Sequence, residues 1–405
     1  MADNSNNSST APGDNPRFEE LGRGCYAYSA DGCSNTGVIV GERGVLIVDA
    51  QATPAQAENV LEKIREKTDK PVKVLALTHF HADSTLGASA FDPGEVIASD
   101  LTRRMIDTRG HDEFRLASNR FPDLFAGLPG NTVVTSPTMT IASSMSIDLG
   151  GLEVRLMHLG RGHTMGDLVA WVPSNGVIFA GDLVQLSAAP YCGDAHLADW
   201  PRALDRITAF RPSALMPGRG RSAIGSSAVA TAIETTRDFV TTLRDGAAAC
   251  VDQGLGLRDT FLAVKDALEP QFGTKKAFAE HLPFNVARAY DEALGLDQPQ
   301  LWTLERSADL QDAISVAIEE LPAGSFAQEE DPMAAQPETD GETDALPDDG
   351  SDERDLVSDS DFAASLALGS EEEALDLSAD DIVPEEEAVA EDAEDREKAF
   401  ADARA

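Results

Sequence analysis

Cysteine is scarce and never arranged for metal or redox chemistry. Cys25, Cys33, Cys192 and Cys250 are the whole complement. No two form a CxxC pair, which excludes a thiolate zinc ribbon and gives no sign of a disulfide framework. Cys25 and Cys33 could meet across a hairpin, but buried free thiols in a reducing compartment are the expectation. Basic residues are scarce too: 32 Lys and Arg stand against 71 Asp and Glu, a net charge of −39. A chain this acidic has no general basic surface for nucleic acid and is repelled by anionic membranes. No apolar run is long enough to span a bilayer. The opening MADNSNNSSTAPGDN lacks a basic region and an apolar core of the secretory type, so a cytoplasmic location is expected. There is no repeat of solenoid length and no P-loop or dinucleotide fingerprint.

The acid is unevenly spread. Residues 323–405 carry 29 acids against 4 bases, so −25 of the −39 sits in this last segment. Pro, Gly, Ser, Asp and Glu dominate it, and such a composition cannot bury enough apolar surface to offset chain entropy. The expected organisation is a disordered leader over 1–16, a folded domain over 17–303, a terminal helix over 304–322 and a disordered acidic tail over 323–405. Two acidic-apolar patches in the tail, 371–383 and 385–405, suit docking to a basic protein. A purely solvating tail is the plainer reading.

Within the domain, short strands are expected at Cys25 to Ser29, Gly37 to Val40 and Val45 to Asp49. Thr53 as N-cap and Pro54 at the first helical position open a helix to about Lys67. A buried strand follows at 72–77 and another at Gly94 to Ser99. Two helices, Asp100 to about Arg109 and His111 to about Phe125, come next. Thr138 to Leu149 and Leu152 to His158 read as antiparallel strands around Gly150-Gly151. Strands at Leu168 to Val172 and Val177 to Ala180, a helix over Asp199 to Phe210, and a short strand at Ala214 to Met216 follow. Helices from Ser222 to about Gln253, Leu257 to Leu268, Pro283 to Leu294 and Leu304 to Leu321 end the domain. This order implies a layered α/β fold.

The chemistry concentrates in THFHADSTLG, residues 78–87. His79, His81 and Asp83 alternate at a strand's exit, too close together for one helix face, so they must fan from a loop. Imidazole nitrogen and carboxylate oxygen are the ligands zinc takes when thiolates are absent. Three further motifs each follow a strand: GHT at His163, GD at Asp182 and PGRG at Arg219. His158 reads as a satisfied near-core residue, His111 as one of a helix's surface charges, and His281 as structural or at a pocket rim.

The order and spacing of HFHAD, GHT, GD and PGRG, with LIVDA at Asp49 ahead of them, resemble the metallo-β-lactamase superfamily over roughly Arg17 to Thr303. The helical end, with LPFNVARAYDEA and LWTLER, is similar to a proteobacterial branch of hydrolase-like proteins. The resemblance implies a four-layered αββα sandwich, here with extra C-terminal helices. It makes His79, His81 and His163 a three-histidine site with one tetrahedral position open to water. Zinc there would bring the water's pKa toward neutrality and yield hydroxide. The resemblance further implies that Asp83 belongs to a second metal and orients the water, that Asp182 bridges two metals, and that Asp49 braces the metal loop.

The sequence departs from the family pattern in two places. Ser84 stands where many dinuclear members have a histidine, and Arg219 stands where the last motif offers another. The lactamase subgroup with a similar HFHxDS motif has Cys where this chain has Asp182. One zinc is therefore expected, and a second is left open. Arg219 is read as supplying part of the second metal's charge, by pairing with Asp83 or Asp182 or by gripping an anionic substrate. His196, Asp194 or Cys192 of the YCGDAH loop is the alternative source of a ligand.

The resulting expectation is a metal-dependent hydrolase whose hydroxide attacks an ester, thioester, lactone, amide or phosphoester of a small molecule. Arg219 and the metal would stabilise the oxyanion. A native β-lactamase role is not expected of a cytoplasmic protein. Two rivals stand beside it. One is a mononuclear iron site of His79, His163 and Asp182 resembling the persulfide dioxygenases of the superfamily. The other is a binding or regulatory protein with a degenerate site.

Overall fold

Alternate residues of the strand Val45–Val48 face opposite ways, and both faces are buried. Leu46 and Val48 enter one apolar cluster with Val154, Leu156, Ala170, Val172 and Phe179. Val45 and Ile47 enter a second cluster with Ala57, Val60, Ile64, Met105 and Phe114. Burial on both sides explains why this strand reads as an unbroken apolar run. The computed structural model in which these contacts are seen describes residues 12–132 and 134–319. The first eleven residues of the expected leader and the whole expected acidic tail lie outside the described residues. None of the described helices is long and apolar enough to cross a membrane.

The first cluster lies between two sheets. One sheet has the order β1-β2-β3-β4-β5-β6-β7, namely Arg17–Gly22, Cys25–Ser29, Thr36–Val40, Val45–Val48, Val72–Ala76, Glu95–Ser99 and Met139–Ile141. The other runs β13-β12-β11-β10-β9-β8. In chain order these are β8 Ser144–Asp148, β9 Glu153–His158, β10 Leu168–Val172, β11 Val177–Gly181, β12 Ala214–Pro217 and β13 Ala223–Ile224. The second cluster fills the space between the first sheet and helices α1 (Pro54–Arg65) and α3 (Asp100–Arg120). Helix α2 is the single turn Ala82–Thr85 on the metal loop. Helices α4 (Trp200–Ala209) and α5 (Ser226–Asp252) cover the second sheet. Trp171 of β10 meets Phe210 at the end of α4 with ring centroids 5.3 Å apart, and Thr236 of α5 accepts from Gln185 N. The layers are helix, sheet, sheet, helix: the four-layered αββα sandwich. Helices α6 (Leu257–Phe272) and α7 (Phe278–Ala293) pack on α5, and α8 (Leu304–Glu319) packs on α6 and α7 and reaches α3.

Three elements differ from the sequence expectation. The two helices expected around Gly110 are one, α3, running straight through it. A Cβ at Gly110 would make only an ordinary contact, 3.4 Å from Val134 Cγ2, so the helix carries this glycine without a steric need for it. The single strand expected over 138–149 divides between sheets. β7 pairs parallel with β6, while β8 pairs antiparallel with β9. α7 starts at Phe278, five residues earlier than expected, and carries Pro283 inside the helix, where the ring removes one backbone hydrogen bond.

Strand direction decides where the site forms. β4, β5 and β6 are mutually parallel, so Asp49 and His79 leave at one edge of their sheet. β11 and β12 are parallel, and β9 shares their direction because β10 runs against both β9 and β11. The loops bearing His163, Asp182 and Arg219 therefore leave at one edge too. The two edges are tied together where Leu168 N donates to Thr78 O at 2.8 Å.

Candidate metal centre

The three imidazoles expected from the sequence converge. One ring nitrogen from each of His79, His81 and His163 lies within 4.8 Å of the others, and all three residues are buried. Their second nitrogens are all engaged. His79 Nδ1 is 2.8 Å from Thr78 Oγ1, whose hydroxyl donates to Asp49 Oδ2 at 2.8 Å. His163 Nδ1 is 2.9 Å from Tyr191 O, an acceptor only, so this nitrogen carries the proton. His81 Nε2 is 3.2 Å from Asp194 Oδ2. These outer partners leave His79 Nε2, His81 Nδ1 and His163 Nε2 facing inward with lone pairs, the arrangement that orients histidines on a metal.

Two observations test whether a cation suits the place. His79 Nε2 is buried with no hydrogen-bond partner, an arrangement that costs free energy in an uncharged site. The rings also split in proton affinity. Burial and the neighbouring His81 push His79 down to about 3, and burial with His81 and His79 holds His163 well below the usual imidazole range. Burial opposes charge on His81 as well, yet Asp194, Glu113 and Asp83 raise it to about 9. A proton on His81 then donates to His163 Nε2 at 2.9 Å and stands in for the positive charge the cluster favours. The donor set fits one zinc ion held by three neutral imidazoles.

The carboxylates and the arginine are arranged around this trio. Asp182 Oδ2 is 3.6 Å from His163 Nε2, and burial raises its carboxyl to about 6 against the pull of Arg219. Gly218 makes room for it: a Cβ there would come within 1.9 Å of Asp182 Oδ1. Arg219 Nη2 donates to Asp83 Oδ2. Burial would raise Asp83, but the guanidinium wins and its carboxyl lies below the usual range. Ser84 Oγ turns to Asp83 Oδ1 at 3.4 Å. Asn35 fixes the Arg219 loop, its Nδ2 donating to Pro217 O and Gly220 O, both at 2.8 Å.

Of the YCGDAH residues, Asp194 reaches the cluster, as a partner of His81. His196 lies 4.0 Å from Asp297, and Cys192 is buried with its N–H on Asn285 Oδ1. His158 donates to Asp167 O at 2.9 Å, and Asp167 in turn accepts from Thr164 beside His163. His111 is exposed.

Two groups of residues had no sequence signal read for them. The first is a stripe on α3. Arg109 Nη1 is 3.6 Å from Asp194 Oδ1, Glu113 Oε2 accepts from Ala82 N at 3.0 Å, and Arg120 lies over the Tyr191 ring at 5.2 Å. The spacing of four and seven residues puts all three on one helix face, a pattern hidden by reading a break at Gly110. The second is the grip of the appended helices on residues 186–198. Lys275 donates to Leu186 O, His281 to Ala189 O, Asn285 to Pro190 O, Trp302 to Gly193 O and Arg288 to Ala195 O. Glu292 accepts from Leu197 N and Ala198 N. This loop carries both Tyr191 and Asp194, so α7 and the segment before α8 set the outer partners of two metal-facing histidines.

Residues 31–219 match the family model described as the metallo-beta-lactamase superfamily. A linear primary-alkylsulfatase of Pseudomonas sp. (strain ATCC 19151) is 24% identical over 253 residues, 54% of this chain and 47% of that protein. The chain thus spans about half the length of that relative. A metallo-beta-lactamase type 2 of Bacteroides fragilis is 24% identical over 192 residues, 46% of this chain and 69% of that one. Among solved structures, an inverting sec-alkylsulfatase from Pseudomonas sp. shares the fold, with a TM-score of 0.53 and 16% identity over 69% of this chain and 50% of that one. With its αββα layers and its three convergent histidines, the segment 31–219 is a match to the metallo-beta-lactamase superfamily.

Proposed function

We propose that the protein is a mononuclear zinc hydrolase acting on an ester, thioester, lactone, amide or phosphoester. The observation that carries this reading is that each inward-facing histidine has its other nitrogen fixed by a separate outer partner. Such pre-orientation is what a metal centre requires and what a degenerate site has no reason to keep. Zinc, when bound, supplies Lewis acidity and makes water acidic enough to react near neutral pH.

The chain's own groups do the rest. His79, His81 and His163 hold the ion. Asp83, kept ionised by Arg219, orients the attacking water, and Asp182 borders the same space as a second acceptor for its proton. Arg219 stands where a second metal's ligand would be, and its guanidinium supplies positive charge toward the developing oxyanion. Because Arg219 is engaged with Asp83, the second position has no free carboxylate pair, and one metal per chain follows.

Elemental analysis of the purified full chain, followed by an ester, thioester, phosphodiester and sulfate-ester panel, tests the proposal. One zinc per chain with hydrolysis abolished by His163→Ala is the expected result. Iron in its place, with oxygen uptake on a persulfide, would replace it with the dioxygenase reading.

A further inference from the structure

We infer that Arg120, with Tyr191 and His281, forms an anchoring subsite for a carboxylate on the substrate, one aromatic ring away from the metal-facing histidines. The inference rests on the hydrolase reading for the bond that is cut, but the subsite itself is argued from other residues.

The α3 stripe presents three charged groups to the site, and two are consumed by structure. Arg109 faces Asp194 at ion-pair distance, 3.6 Å and without a hydrogen bond, and donates to Pro299 O, while Glu113 accepts from Ala82 N. Arg120 is different. Its guanidinium carbon sits 4.1 Å from the Phe284 ring centroid, 5.0 Å from Phe121 and 5.2 Å from Tyr191. One N–H reaches Glu280 O at 2.8 Å. Among the described residues no carboxylate lies within ion-pair distance of it. Glu113 and Glu280 act on it only from beyond that distance, so this mostly buried guanidinium, with no contacting anion, keeps part of its desolvation cost, which ring faces offset only in part.

Tyr191 connects this cation to the histidines. Its ring lies 5.4 Å from that of His81 and 6.4 Å from that of His163. His281 forms the adjoining wall, its ring 5.4 Å from Tyr191. Its Nδ1 donates to Ala189 O at 3.0 Å, so its Nε2 is left as an acceptor. Burial, Arg120 and Arg219 push His281 down to about 3, which marks this side of the site as positive.

Gripping an anion was one of the roles expected of Arg219 and pairing with Asp83 another, and Arg219 is paired with Asp83. Arg120 is the cation with N–H groups to spare, and its planar fork matches a carboxylate. The substrate class is then an acid-bearing ester, thioester or amide, with the carboxylate lying beyond Tyr191 from the scissile carbonyl.

The test compares 4-nitrophenyl hydrogen glutarate with the neutral 4-nitrophenyl butyrate on the zinc-loaded full chain. It also titrates glutarate itself by calorimetry, which needs no turnover. In Arg120→Met, KM for the glutarate ester should rise about tenfold or more and glutarate binding should weaken by a similar factor, while KM for butyrate stays within about twofold. Arg120→Lys, which keeps the charge, should recover part of the binding, and circular dichroism checks that both variants fold. Equal glutarate binding by wild type and a folded Arg120→Met, or none at millimolar concentration, overturns the subsite. If neither ester is cut but glutarate binding depends on Arg120, the subsite stands and the hydrolase reading fails.

Discussion

Asp194 places one oxygen 3.2 Å from His81 Nε2 and the other 3.6 Å from Arg109 Nη1. The carboxylate thereby fixes which nitrogen of His81 faces His79 and His163. Asp194→Asn keeps the shape but loses the charge that makes His81 a strong donor. Zinc affinity should fall about 10–100-fold, measured by competition with a chromogenic chelator. Unchanged affinity would remove Asp194 from the metal centre.

The Asp83–Arg219 pair predicts metal stoichiometry. Wild type should hold one zinc tightly per chain, whereas Arg219→His frees Asp83 and adds an imidazole ligand. Mass spectrometry of metals after extensive dialysis should then move from one zinc toward two. A wild type that keeps two would contradict the substitution of arginine for the second ion.

Gly218 should tolerate no side chain. A Cβ would lie 1.9 Å from Asp182 Oδ1, so Gly218→Ala must displace that carboxylate. We expect a fall in kcat of about tenfold or more, of the order of losing one positioned polar group, with zinc still bound by the three histidines. Wild-type kcat in this variant would show that Asp182 has no part in turnover.

Arg288 is 1% exposed and donates to Ala195 O, Leu296 O, Asp297 O and Glu292. Arg288→Met leaves those acceptors and a partly buried carboxylate unpaired. Unfolding free energy should drop by about 3–5 kcal/mol, read from urea denaturation. Zinc affinity should weaken as well, because the 186–198 loop loses its anchor.

His281 gives a pH signature in the metal-free chain. It is pushed down to about 3 by burial and by Arg120 and Arg219, with Asp83 pulling the other way. The unfolded chain therefore binds a proton near pH 6.5 that the fold refuses until near pH 3. Its contribution to stability is present above that window and is lost as pH falls through it, with a slope of up to about 1.4 kcal/mol per pH unit. His281→Asn, whose amide can still donate to Ala189 O, should flatten this acid limb. Identical slopes would show that His281 is protonated in the fold.

Much of the framework could be read from residue order. Thr53 caps α1 by accepting from Gln56 N at 3.2 Å, as its place before Pro54 suggests. The apolar runs at 45–48 and 72–76 are buried strands, and the metal motifs follow strands as expected. Gly110 misled because an isolated glycine reads as a break, whereas a helix interior tolerates one at a modest cost. The stretch 138–149 misled because alternation reports a strand but not its sheet.

The sequence by itself determined the layered class and the three imidazoles. Both are written in local periodicity and in ligand types at strand exits, which neighbouring residues suffice to encode. Tertiary structure alone decided the partners. Asp194 on His81, Arg219 on Asp83, and Arg120 over Tyr191 join residues 113, 136 and 71 positions apart in the chain. No spacing rule reaches that far, because such pairs are set by which strand ends share an edge and which helices pack against them.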